Sequence, residues 1–166
     1  MNDYDEQPDR FQVELDGQPW QQTILAGERK LWVDGNWYAT ISANRRFSPT
    51  GPDYIGDLII LNFDDFLQPG RYPITAPGPV DVTYVKFSAS VAKSYIATGG
   101  WVQLTLGPRS RVVGEFKARF SDSDIQLTAG AFNVNCPKPE PRGTTRGANY
   151  DPQTLQHLKQ LRKFGW

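Results

Sequence analysis

The chain is poor in the residues that carry most enzyme chemistry. It has one cysteine, Cys136, so it can form neither an intrachain disulfide nor a cysteine-based metal site. It has one histidine, His157, too few for a histidine metal centre. No nucleophile-elbow sequence offers His157 a serine partner. No Gly-rich phosphate loop and no strand–helix–strand spacing appear, so the sequence calls for no nucleotide or other cofactor. No window approaches the roughly 18 consecutive apolar residues of a transmembrane helix. The formal net charge is zero, which argues against nucleic acid as a partner, since phosphate binding favours a basic domain.

What the chain does have is alternation. Gly99 to Cys136 holds three runs, GGWVQLTL, VVGEFKARF and IQLTAGAFNV, separated by short polar breaks. Successive strand residues face opposite ways, so these runs make sheets with one buried and one wet face. Upstream, FQVEL (Phe11 to Leu15) alternates and meets the hairpin turn signal Asp16-Gly17. Thr23 to Ala26 reads as a short strand. Lys30 to Asp34 and Trp37 to Ala43 flank Gly35-Asn36, a second two-residue turn. Residues 44 to 56 read as a Pro/Gly loop. DLIILNF (Asp57 to Phe63) is nearly all apolar, as expected of a strand covered on both faces. Tyr72-Pro73-Ile74 suits an edge, where no ladder bond is lost to proline. Val82 to Ala89 and Tyr95 to Thr98 complete the set. The whole reads as an all-β chain, an antiparallel β-sandwich or partly closed barrel of about ten short strands.

The ends differ from the middle. Residues 1–10 form an acidic, polar leader, unlike a signal peptide. Residues 11–136 are the β-sandwich domain. Residues 137–150 are a Pro/Gly/Arg-rich linker, with Pro137, Pro139 and Pro141 favouring an extended path. Residues 151–166 read as one short C-terminal amphipathic helix, opened by Asp151-Pro152 as cap and first turn. Leu155, Leu158, Leu161 and Phe164 form its apolar stripe, with Trp166 as a terminal anchor. Such a short helix is marginal alone and needs a surface to lie on, in its own sandwich or in a protein partner. Charge is also divided. Residues 1–83 carry 6 Lys+Arg and 13 Asp+Glu, net −7, and residues 84–166 carry 12 and 5, net +7.

Asp16, Gly17 and Trp20, with Gly100, Val102, Leu104, Gly114, Phe116, Gly130, Phe132 and Val134, make a recognisable pair of motifs. In these the chain resembles small β-sandwich domains of unknown function from bacterial envelope lipoproteins. Those open with Asp-Gly-x-x-Trp and close with repeated Gly-x-Phe strands. The resemblance covers residues 11–136 in outline. It implies the sandwich fold and an extracytoplasmic location, in periplasm or at the cell surface, and no catalytic residues. The linker and tail helix depart from that pattern and read as an added docking element. A cytoplasmic location stays open.

Three functions follow as expectations. The first is a non-enzymatic binding or accessory subunit of an envelope or surface assembly, with a protein partner docked through Leu155, Leu158, Leu161, Phe164 and Trp166. The second is a carbohydrate-binding module in which Trp37 and Trp101, at strand starts, stack on a glycan with Tyr38, Tyr54 and Tyr95 nearby. The third is a glycan hydrolase built on a carboxylate pair, Asp64-Asp65 or Asp122 with Asp124. Against the last, both pairs sit at expected strand ends, where aspartate serves turns. Trp20 and Trp32 are expected in the core.

Overall fold

The computed structural model describes residues 7–46, 55–75, 77–88, 91–106 and 111–137. Among them run eleven strands: β1 (Arg10–Leu15), β2 (Gln18–Trp20), β3 (Ile24–Leu31), β4 (Trp37–Arg46), β5 (Gly56–Asp64), β6 (Gly70–Pro73), β7 (Val80–Ser88), β8 (Val91–Ile96), β9 (Gly99–Leu106), β10 (Arg111–Arg119) and β11 (Gln126–Asn135). They form two antiparallel sheets. Sheet one has the order β2-β1-β11-β10-β9-β6 and sheet two the order β3-β4-β5-β7-β8. The sandwich expectation holds, and neither sheet closes into a barrel. The expected tail helix and linker lie outside the described residues.

The alternation does what its period requires. On β9 and β10, Val102, Leu104, Val112, Phe116 and Ala118 point inward and are buried, while Gln103, Glu115 and Lys117 point out. Ile59, Leu61 and Phe63 on β5 and Val80, Val82 and Tyr84 on β7 supply the facing layer from sheet two. Phe63 stacks on Phe132 across the gap, with ring centroids 5.6 Å apart. Each such fully buried side chain contributes about 1.5–3 kcal/mol relative to exposure.

The repeated Gly-x-Phe motif has a packing reason. Gly114 pairs with Phe132 across the ladder, and Phe116 pairs with Gly130. Each phenyl ring lies flat over the partner strand's glycine. A Cβ on Gly130 would meet Phe116 ring carbons, and one on Gly114 would meet those of Phe132. The two glycines therefore leave the space that the two rings fill, and the rings then contact each other at 6.2 Å.

Several sequence expectations need correction. Thr23 to Ala26 and Lys30 to Asp34 are not separate strands: β3 runs unbroken through Gly27. That glycine sits in the strand because a Cβ there would meet Val134, Asn135 and Cys136 of the crossing chain. The connection from β3 to β4 is a five-residue loop, 32–36, rather than a two-residue turn, because Trp32 N bonds to Asn36 O and Gly35 N to Trp32 O. Trp32 lies in this loop, half-buried, edge-on to Tyr38 at 6.1 Å, and not in the core. Trp20 does reach the core, at 2% exposure. Asp16-Gly17 forms the expected turn, and Pro73 lies on β6, one of the two short edge strands of sheet one. β4 extends through Arg46 into the expected loop.

Gly130→Ala is expected to destabilise the fold by about 1–3 kcal/mol, because the Phe116 ring must leave its rotamer or the strands must part. Urea unfolding checks this. The double variant Gly130→Ala/Phe116→Leu should recover part of the loss.

Candidate functional site

The outer face of sheet one carries an open groove with a cavity volume of about 960 Å³. Its floor is made of outward-phase residues of adjacent strands: Gln12 on β1, Ala131 and Asn133 on β11, Val113 and Glu115 on β10, and Gln103 and Thr105 on β9. Gln21 and Gln22, just after β2, add to the lining beside Pro19. Five of the lining residues carry neutral amides (Gln12, Gln21, Gln22, Gln103 and Asn133), beside the charged Asp9, Arg10 and Glu115 and apolar residues such as Val113 and Ala131. A carboxamide carries both donors and an acceptor. The Gln103 and Asn133 oxygens are already engaged by Arg71 and Arg111, which leaves the Gln103 amide hydrogens as donors and Gln12 to supply both kinds of group. The chain pattern explains the placement: polar residues in the outward phase of a half-buried strand end up side by side on one face.

Gln103 is already oriented. Its Oε1 accepts from Arg71 Nε at 3.3 Å and from Arg71 Nη2 at 2.9 Å. The same guanidinium lies 4.1 Å above the Trp101 ring. Arg71, Gln103 and Trp101 thus form a stacked border at the β6 side of the sheet.

Arg111, at the start of β10, holds the groove residue Asn133 in place. This side chain is only 5% exposed. It donates from Nη1 to Asn133 Oδ1 at 2.8 Å and from Nη2 to the Gln7 carbonyl at 2.7 Å, and it approaches Asp9 at 3.6 Å. Asn135 N donates to Asp9 Oδ1 at 2.9 Å. Residues 7–9 of the expected leader are therefore tied to the sheet, and 1–6 lie outside the described residues.

Beneath the groove sits a buried polar cluster that the sequence reading did not single out. Asp57 on β5 is 2% exposed and points inward. It accepts from Trp20 Nε1 at 3.1 Å, Tyr84 OH at 2.7 Å, Arg45 Nε at 2.9 Å and Arg45 Nη2 at 2.7 Å. Arg45 also lies over the Trp20 ring at 5.3 Å. Burial and the hydrogen bond to Asp57 raise the Tyr84 phenol above its ordinary value, so it stays a donor. One signal existed: Asp57 falls in the inward phase of Asp57, Ile59, Leu61 and Phe63, where a lone acid requires partners.

The sequence-chosen aromatics are not brought together. Trp37 begins β4 in sheet two, and Trp101 lies on β9 in sheet one; each is half-buried. Tyr38 donates to Asp34 at 2.8 Å, Tyr95 stacks on Tyr84 at 6.1 Å, and Tyr54 lies outside the described residues. Among the carboxylates, Asp65 pairs with Arg29 at 3.3 Å, and Asp122 and Asp124 are exposed in the turn before β11. Cys136 is buried, and burial pushes its thiol up to about 12, which removes the thiolate at neutral pH. Leu155, Leu158, Leu161, Phe164, Trp166 and His157 lie outside the described residues.

Comparison with known proteins returns no match: no family model, no curated relative and no solved structure is similar to this chain.

Asp81, on β7, gives a pH signature. Burial, and then the nearby charge of Asp64, lifts its carboxyl from an ordinary 3.8 to about 6. A raised acid binds its proton more tightly in the folded state. Its stabilising effect is full below pH 3.8 and is lost as pH rises through about 6. Asp81→Asn should therefore stabilise the protein by about 1 kcal/mol at pH 7.5, with the gain vanishing below pH 4. Thermal unfolding across that pH range checks it.

Proposed function

We propose that the chain is a non-enzymatic binding domain whose ligand lies in the sheet-one groove, and that this ligand is a neutral, hydroxyl-rich chain, a glycan. The single observation carrying the reading is the set of amides Gln12, Gln103 and Asn133 on the floor, with Gln22 at its side, in a groove of about 960 Å³. Vicinal hydroxyls each donate and accept: the Gln103 amide hydrogens meet hydroxyl oxygens, and Gln12 answers both roles. A rigid sheet holds them in register, so little entropy is lost on binding. The groove is open enough to retain bridging waters, which add contacts at modest cost. Trp101 enters at the border rather than as half of a platform. Its ring becomes a stacking surface only when Arg71 swings aside.

The domain acts as an accessory subunit in an extracytoplasmic assembly. The Asp16-Gly17-x-x-Trp20 opening and the Gly-x-Phe closing strands support that placement through their likeness to envelope lipoprotein domains. A second reading, docking to a protein through Leu155, Leu158, Leu161, Phe164 and Trp166, draws on the apolar stripe of the tail. The hydrolase reading draws least support, since Asp65 is engaged by Arg29 and Asp122 with Asp124 sits in an exposed turn.

A glycan array probed with the full chain should return neutral oligosaccharides. Calorimetric titration of one such hit should show Gln12→Ala/Gln103→Ala binding about 10–100-fold more weakly, as expected for two lost hydrogen bonds of about 0.5–1.5 kcal/mol each. Lys86→Ala on sheet two should bind as the unaltered chain does. An empty array, or a hit indifferent to the groove substitutions, would sink the reading.

A further inference from the structure

The outer side of sheet two is drier than the outside of a sandwich should be. Ile59, Leu61, Phe63, Val80, Val82 and Tyr84 point into the core, so their neighbours in β5 and β7 point away from it. Yet outward-facing Ile60 is 3% exposed, and Thr83 and Val85 are 0% exposed. Ile60 and Val85 take no part in the core cluster, and none of the eleven strands lies beyond them. They form one patch, because Ile60 pairs with Thr83 and Leu58 pairs with Val85 across the ladder. At its centre Thr83 Oγ1 is buried with no hydrogen-bond partner among the described residues. A buried hydroxyl left so costs about 1–3 kcal/mol, which a polar group in the cover would offset.

We infer that the occupant of this face is the chain's own segment 151–166, lying across sheet two with Leu155, Leu158, Leu161 and Phe164 turned onto Ile60 and Val85. The route fits. Arg29 N on β3 donates to the Pro137 carbonyl at 3.2 Å, so the chain leaves the described region along β3, an edge strand of sheet two. From β3 to β7 is three strand spacings, about 14 Å. The 13 residues from 138 to 150 reach about 43 Å when extended.

Size and charge fit as well. A helix of some 14 residues is about 21 Å long, and a nine-residue strand such as β5 is about 30 Å. The tail carries Lys159, Arg162 and Lys163 near its end. The same face of sheet two carries Asp64 and Asp81 in outward phase at one end, with Asp34 adjacent in charge. Cations from the tail meet acids from the sheet. The arrangement also explains how a short amphipathic helix, marginal in water, is held.

The test uses the full chain with Ile60→Cys, labelled by a maleimide; native Cys136 is buried and contributes no background. Thr105→Cys, on the outer face of sheet one, is the exposed control. The inference expects Ile60→Cys to label at least tenfold more slowly than Thr105→Cys. It expects Leu158→Asp/Leu161→Asp to remove that protection without changing the control. Equal labelling of the two sites in the otherwise unaltered chain overturns it, as does protection that survives the tail substitutions. Protection that grows with protein concentration also overturns it and assigns the face to a second copy. Where the double aspartate variant fails to fold, Val85→Cys is paired in turn with Leu155→Cys, Leu158→Cys and Leu161→Cys under mild oxidation. A link within one monomer supports the inference; three unlinked pairs overturn it.

Discussion

One buried carboxylate, Asp57, joins the parts of this molecule. Its donors come from β2 in sheet one and from β4 and β7 in sheet two. Hydrogen bonds to a charged group are worth about 1.5–3 kcal/mol each, while burying the charge costs several. The net stabilisation is therefore modest. What the cluster supplies is specificity: it is satisfied only when β2 crosses to meet β4, β5 and β7 in this register. Apolar pairs such as Phe63 on Phe132 tolerate sliding far better. Trp20 is the pivot. Its ring packs against Phe11 at 6.2 Å, its indole N–H reaches Asp57, and the residues that follow it, Gln21 and Gln22, line the groove. The interior polar contact thus sets the position of an exterior recognition surface.

The two outer faces divide the chemistry. Sheet one is mixed outside, with amides beside apolar residues on its floor and with Gln103 and Asn133 held by Arg71 and Arg111. Sheet two buries Ile60, Thr83 and Val85 on its outer side. The charge asymmetry of the chain partly cancels within the fold, since Arg111 from the basic half meets Asp9 from the acidic half at 3.6 Å. Other pairs stay within one half, as Arg45 with Asp57 and Arg29 with Asp65.

Much of the fold was legible because strand periodicity is local. The closing runs, the Asp16-Gly17 turn, the edge position of Pro73 and the strand after Asp57 all follow from residues near in sequence. What failed depended on residues far away. Gly27 looks like a break until Cys136 and its neighbours are seen to cross over it. Trp32 looks like a core residue until the longer loop carries it to the rim. The groove was invisible because outward glutamines are what any half-wet strand carries. Only the pairing of β1, β11, β10 and β9 sets Gln12, Asn133 and Gln103 on one floor. That Trp37 and Trp101 belong to different sheets was hidden for the same reason.

The most direct test of the account is the coupling between Arg45 and Asp57, from a double-mutant cycle of Arg45→Met and Asp57→Asn read by urea unfolding. Asp57 is buried while the Arg45 side chain is a quarter exposed, and Trp20 and Tyr84 still donate when Arg45 is lost, so each single substitution should cost about 1–3 kcal/mol. The double variant should then cost clearly less than the sum, with a coupling of about 1 kcal/mol or more. Small single losses that simply add would contradict the account, and would leave apolar packing alone as the bond between the sheets.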